Sequence, residues 1–212
     1  MPNLLRLVSD LVCVFDRLEL RYALGGALAT NYWGVVRTTQ DVDCLIALPA
    51  LKYQGLADEL QAIGCKLRDA KGNTIDVDAR LMREQANQRQ FIECFRDSVR
   101  IELFVPVVPL QDEVLRRAVK MPLGNAVVSV TTPEDLVLLK LAFHRAKDVQ
   151  DVRGILWVQR GNLDLDYLWH WSAVTLDEDA QQELRGLIQQ HATEDHDQSH
   201  DGGRNSEPGI SQ

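Results

Sequence analysis

Apolar residues fall at regular intervals over most of the chain and stop near its end. Leu4, Leu5, Val8, Leu11, Val12, Phe15 and Leu18 recur at helical spacing, which predicts an amphipathic first helix to about Glu19. Arg21 to Leu24 is a short extended stretch running into Gly25-Gly26, and Ala27 to Trp33 reads as a helix that begins at that turn. Gly34 to Gln40 reads as a polar loop. Asp41 to Leu48 reads as a strand with a buried second half, stopped by Pro49. Ala50 to Ile63 reads as a helix closed by Gly64, and Lys66 to Asp78 as a hairpin around Lys71-Gly72-Asn73. Val99 to Val105 alternates as a strand does, Leu110 to Val119 reads as a helix, and Val127 to Val130 as the last strand. Thr132-Pro133-Glu134-Asp135 combines a Thr cap, Pro at the first helical position and acids in the first turn, and predicts a helix through Arg145. A further helix from about Val149 to Gln159 stops before Gly161, and Asp164 and Asp177 cap C-terminal helices that end near His191.

Strands come early and helices dominate the end, which predicts an α+β fold: an α/β core over 1–130, a helical part over 131–191 packed on it, and a polar tail over 192–212. From about Thr193 almost nothing apolar remains, so the tail is predicted to be disordered, with His196 and His200 as solvated side chains. The 212 residues are 45% hydrophobic and 25% charged, an ordinary globular mixture. A net charge of -8 excludes a protein that coats nucleic acid indiscriminately, though a local basic pocket remains compatible with it. No apolar run approaches the ~20 residues of a membrane span. Arg6 and Asp10 interrupt the N-terminal segment as a signal peptide would not. Cys13, Cys44, Cys65 and Cys94 lack CxxC spacing and read as reduced core thiols, so a cytoplasmic location is expected.

Three places carry candidate chemistry. Asp41 and Asp43 are alternate residues of one strand and project together. Two such carboxylates repel unless a cation lies between them, and a hard divalent ion, by default Mg²⁺, is the natural solution. Upstream, the Gly25-Gly26 turn and the helix start offer backbone N–H groups to a phosphate, with Arg37 as a phosphate-pairing fork and Thr38 and Thr39 as hydroxyls. A second Asp-Val-Asp at Asp76 to Asp78 lacks the apolar continuation and reads as a solvated strand end. In the second place, Glu102 lies between Ile101 and Leu103 and completes a carboxylate triad if its strand neighbours Asp41 to Leu48, as a metal ligand or general base. In the third place, Lys140 stands within Leu136-Val-Leu-Leu-Lys-Leu, one turn before His144 and near Lys147, Asp148 and Asp151; such a cation suits a triphosphate.

Gly25-Gly26 followed by Arg37-x-Thr39-x-Asp41-Val-Asp43 resembles the signature of the DNA polymerase β-type nucleotidyltransferase superfamily. The later stretches Ile101-Glu102-Leu103-Phe104, Thr132-Pro133-Glu134-Asp135-Leu136, Leu139-Lys140-Leu141 and Arg145 to Asp151 resemble the bacterial AbiEii/MenT-type toxin nucleotidyltransferases. The resemblance spans roughly residues 20–160 and implies a small mixed β-sheet flanked by helices. By residue, it implies that Asp41 and Asp43 bind metal, that Gly25 and Gly26 form the phosphate turn, and that Lys140 and Asp148 match later basic and acidic site positions. The third acid is more usually Asp and is Glu102 here, and the interval from Gly26 to Asp41 is slightly long. The implied activity is transfer of an NMP from an NTP, with a two-ion Mg²⁺ site, to a hydroxyl of RNA (tRNA) or protein, with a cognate antitoxin as a partner. The alternatives are a small-molecule (antibiotic) acceptor and a non-catalytic binding protein. Arg80, Arg83, Arg89, Arg96, Arg116, Arg117 and Lys120 are the residues available for an RNA surface.

Overall fold

The computed structural model of the chain describes residues 2–69 and 71–200. Helix α1 (Pro2–Arg17) buries Val8, Leu11, Val12 and Phe15 of the stripe its spacing predicts and adds Leu7 and Val14, while Leu5 lies exposed. Strand β1 (Tyr22–Leu24) leads directly into α2 (Gly26–Trp33), and β2 (Asp41–Ile46) follows the loop. The predicted third helix divides into a 3-10 turn, Ala50–Lys52, and α3 (Tyr53–Ala62). The predicted hairpin is β3 (Leu67–Arg68) with β4 (Thr74–Ile75), turning where Gly72 has φ +84. Helix α4 (Ala79–Arg89) and strands β5 (Phe91–Arg96) and β6 (Val99–Phe104) come next. Then come α5 (Pro109–Arg117), β7 (Val119–Leu123), β8 (Ala126–Val130), α6 (Pro133–Phe143), α7 (Ala146–Val158), α8 (Leu165–Thr175) and α9 (Glu178–His200).

Six strands form one mixed sheet in the order β5-β6-β2-β1-β8-β7, and β3-β4 stands apart. β2 runs parallel to β6, and β1 runs parallel to β8; the other neighbours are antiparallel. The α+β expectation holds: a mixed sheet covered by helices. Along β2, Val42 and Cys44 point into the core, and Asp41 and Asp43 share the opposite face.

Three elements depart from the sequence pattern. α4 buries only Met82, Gln85 and Ala86, so its apolar stripe is too thin to read by period; Asp78 starts it by accepting a hydrogen bond from the Leu81 amide at 2.8 Å. β7 contains Pro122, which a sheet tolerates at an edge, and β7 is the edge strand. α6 ends at Phe143 rather than Arg145, because His144 adopts a left-handed conformation (φ +49) and its amide caps the Lys140 carbonyl at 3.0 Å. Arg145 thereby leaves the helix interior and becomes the cap of α7.

A buried polar clasp fixes α6. Asp135, fully buried, accepts hydrogen bonds from the hydroxyls of Thr132 (2.8 Å) and Tyr167. Arg117 pairs with Glu134 at 3.1 Å and lies over the Tyr167 ring at 3.7 Å. α5, α6 and α8 are therefore locked together behind Lys140. Cys44, Cys65 and Cys94 are buried free thiols, as expected; Cys13 instead lies exposed on α1. α9 extends to His200, past the predicted end near His191; the side chains of His196 and His200 and residues 201–212 lie outside the described part. Among the described residues no helix is long and apolar enough to cross a membrane.

Candidate active site

Register builds the acidic face. Asp43 lies opposite Glu102 and Asp41 opposite Arg100 across β2 and β6, and β5 sets Glu93 opposite Glu102. Glu93, Glu102 and Asp43 thus form a row on three neighbouring strands. Burial pushes the Glu102 carboxyl up to about 7; Arg100 opposes the rise, and its cross-strand neighbours Asp43 and Glu93 reinforce it.

The glycine turn fits against this row. The Gly25 amide donates to the Asp43 carbonyl at 2.8 Å, so it is engaged in the sheet and does not face a ligand. Gly26 has φ +52, and a Cβ there would lie 1.7 Å from Asp43 Oδ2. Only glycine allows the carboxylate this close to the first residue of α2, at the helix's positive end. Thr39 Oγ1 accepts from the Asp41 amide at 3.2 Å and fixes the start of β2. Asn31 clamps the preceding loop through the Arg37 carbonyl and amide, both at 2.9 Å.

The opposite wall is basic and internally paired. Asp151 accepts from Arg37 Nε and Nη2, each at 3.1 Å, and from Lys140 Nζ at 2.6 Å. Burial disfavours the Asp151 charge, but the bonds from Arg37 and Lys140 prevail and hold its carboxyl below the usual range. Arg145 donates to Asp148 at 2.5 Å, and Lys140 stands 3.8 Å from the same carboxylate. Lys147 completes the wall with no ion pair among the described residues.

Between the two walls lies a cleft of about 290 Å³. All nine predicted site residues line it: Gly25, Gly26, Arg37, Thr39, Asp41, Asp43, Glu102, Lys140 and Asp148. Three of their expected roles change. Lys140 is buried and bound to Asp151, so it organises the wall rather than meeting a ligand as a free cation. Arg37 is likewise held by Asp151, and Gly25 has no free amide. Asp151, singled out with Lys140, joins that wall as its partner; the residues missed are Arg145 on the basic wall, Arg100 and Glu93 on the acidic face, and Phe91, Phe104 and Phe143 in the lining of the cleft. Strand alternation alone puts Arg100 on the Glu102 face, a readable signal; Arg145 was hidden by the predicted helix through it.

Asp43 and Glu102, cross-strand neighbours on one face, are a carboxylate pair whose mutual repulsion a hard divalent cation would relieve. Asp41 adds oxygens on the same face but is directed to Arg100. Among the described residues no three acidic, histidine or cysteine side chains converge to enclose an ion, so the donor set fits a cation as a pair with Asp41 adjoining.

The mixed sheet flanked by helices matches a nucleotidyltransferase-like fold. Two solved structures share it. ANT(2″)-Ia in complex with adenylyl-2″-tobramycin superposes with a TM-score of 0.54 and 11% identity, covering 82% of this chain and 97% of that one. An antigenic nucleotidyltransferase-like protein from Paracoccidioides brasiliensis superposes with a TM-score of 0.53 and 20% identity, covering 90% and 89%. At these identities the likeness establishes the fold. No protein-family model matches the chain, and no curated protein sequence matches it.

Proposed function

We propose that the cleft transfers a nucleoside monophosphate from an NTP to a hydroxyl of a small molecule. The observation that carries this reading is the Asp43–Glu102 pair seated against Gly26 and facing a basic wall across one cleft. Asp43 and Glu102, with Asp41 adjoining, would hold Mg²⁺, which supplies charge neutralisation to phosphate oxygens when bound. Arg145 and Lys147, exposed on the basic wall, are the groups that meet the triphosphate; Arg37 and Lys140 position that wall from behind. Glu102, once ionised, is suited to take the proton of the attacking hydroxyl while pyrophosphate leaves the α-phosphorus.

Two observations favour a small acceptor over RNA. Phe91, Phe104, Leu139 and Phe143 give the cleft apolar lining suited to a compact ligand. Five of the six arginines named for an RNA surface are engaged within the fold, leaving Arg89 and Lys120: Arg80 with Glu84, Arg96 with Asp10, Arg116 with Glu113, Arg117 with Glu134, and Arg83 with the Ala50 carbonyl. The ANT(2″)-Ia structure holds an adenylylated small molecule, which supports the same class. Incubating the protein with each α-labelled NTP, Mg²⁺ and fractionated lysate tests the reading. Label is expected in the small-molecule fraction and lost with Asp43→Asn. Labelled RNA or protein instead would replace the acceptor class and revive the toxin–antitoxin reading; nucleotide binding without any transfer would leave a binding protein.

A further inference from the structure

The acidic face carries a cation of its own. Arg100 reaches Asp41 through Nε at 3.4 Å and Nη2 at 3.2 Å, and Glu102 through Nη1 at 3.1 Å; Glu93 lies 3.9 Å from the same Nη1. One guanidinium thus serves three carboxylates from three adjacent strands. Arg145, whose charge is also felt at Asp43 and Glu102, is bonded to Asp148 on the far wall. Among the described residues these acids are the hydrogen-bond and ion-pair partners of the Arg100 side chain, which is 41% exposed and lies on the less buried face of β6, so it can leave the acids without opening the core. The oxygens it occupies on Asp41 and Glu102 are two of the three donors assigned above to a divalent ion.

We propose that Arg100 is a built-in counter-ion that competes with the divalent cation for Asp41 and Glu102. The ion binds tightly only as the guanidinium swings away, and the freed guanidinium then pairs with NTP phosphate oxygens. Cation and nucleotide binding are thereby coupled through one side chain. This rests on the nucleotidyl-transfer reading.

The test is Mn²⁺ binding to the nucleotide-free, full-length protein, followed by the electron spin resonance of the free ion at fixed ionic strength. Removing a unit charge about 5 Å from a doubly charged ion in a water-exposed site predicts roughly tenfold tighter binding in Arg100→Gln. Arg100→Lys keeps the charge and is expected to stay within about threefold of the wild type by the same reasoning. Adding Asp41→Asn to Arg100→Gln is expected to abolish the gain, which ties the ion to these carboxylates. Equal or weaker Mn²⁺ binding in Arg100→Gln overturns the counter-ion role and leaves the transferase reading standing, because transfer requires only that the ion bind. Binding by neither protein overturns both. A second measurement needs no neutral variant: Mg²⁺ added to the wild type is expected to move the Arg100 Nε–H resonance, assigned with Arg100→Lys, to its solvent-exposed position. A resonance unmoved at saturating Mg²⁺ overturns the proposal.

Discussion

A single methyl group at Gly26 probes the seating of Asp43. The added Cβ would lie 1.7 Å from Asp43 Oδ2, 2.6 Å from its Cγ and 2.8 Å from its Cβ. Real contacts essentially never fall under 3.0 Å, so the carboxylate must retreat by more than an ångström. The Asp43 Cβ is itself within the forbidden range, so rotation of the carboxylate alone does not relieve the clash and the backbone of β2 or α2 must shift as well. Alanine at φ +52 also costs about 1 kcal/mol of backbone strain. Together these predict that Gly26→Ala loses about 2–3 kcal/mol of stability in urea denaturation. Label transfer should fall about 100-fold, the effect of an ångström's misplacement at a reacting centre. Gly25 is the internal control. It has φ -120, and its nearest neighbour to an added Cβ is the Asp43 carbonyl oxygen at 3.8 Å. Gly25→Ala is therefore expected to stay within about 1 kcal/mol of the wild type and to retain transfer. Wild-type stability and transfer in Gly26→Ala, or greater damage from Gly25→Ala, would refute the packing of the carboxylate against this residue.

Asp151→Ala leaves the ammonium of Lys140, only 7% exposed, with Asp148 at 3.8 Å as its remaining partner, and is expected to cost about 3 kcal/mol. The exposed Arg80–Glu84 pair should cost under about 1 kcal/mol when broken; equal losses in the two variants would show that the buried network has no special weight. Glu102 gives a pH signature. Its folded-state carboxyl is raised to about 7 against an ordinary 4.5, so its contribution is complete below pH 4.5 and is lost as pH rises through 7. Glu102→Gln mimics the protonated form and is expected to match the wild type near pH 4.5 and exceed it by up to about 3 kcal/mol at pH 8 in denaturant titrations. A difference that does not change with pH would remove burial as the cause of the shift.

The acidic face was legible because it depends on strand alternation, which is local. Asp41 and Asp43 had to share a face once the Asp41 strand was recognised, and Glu102 joined them once its strand was set alongside. The same alternation carries Arg100 onto that face, so the counter-ion was present in the pattern Val-Arg-Ile-Glu but unweighted. Glu93 was not legible, because α4 and β5 were left unassigned: α4 buries too few apolar residues, and β5 is recognised by its partner β6 rather than by its own composition.

The basic wall was misread for a different reason. Spacing along a helix brings Lys140 near Asp151 only if one helix continues between them, yet His144 breaks it, and α6 and α7 meet as separate helices. What pairs Lys140 with Asp151 is the packing of those two helices, and what adds Arg37 is the loop that Asn31 holds from α2. A buried lysine in an apolar run reads from sequence as a cation seeking an external anion, because its internal partner lies eleven residues away on another helix. Once that partner is found, the logic of the wall inverts. Arg37 and Lys140 are consumed in shaping it, and Asp148 fixes Arg145 at the first turn of α7. The charge left to meet a triphosphate therefore stands at the exposed rim, on Lys147, which the spacing around Lys140 had included, and on Arg145, which it had placed inside a helix.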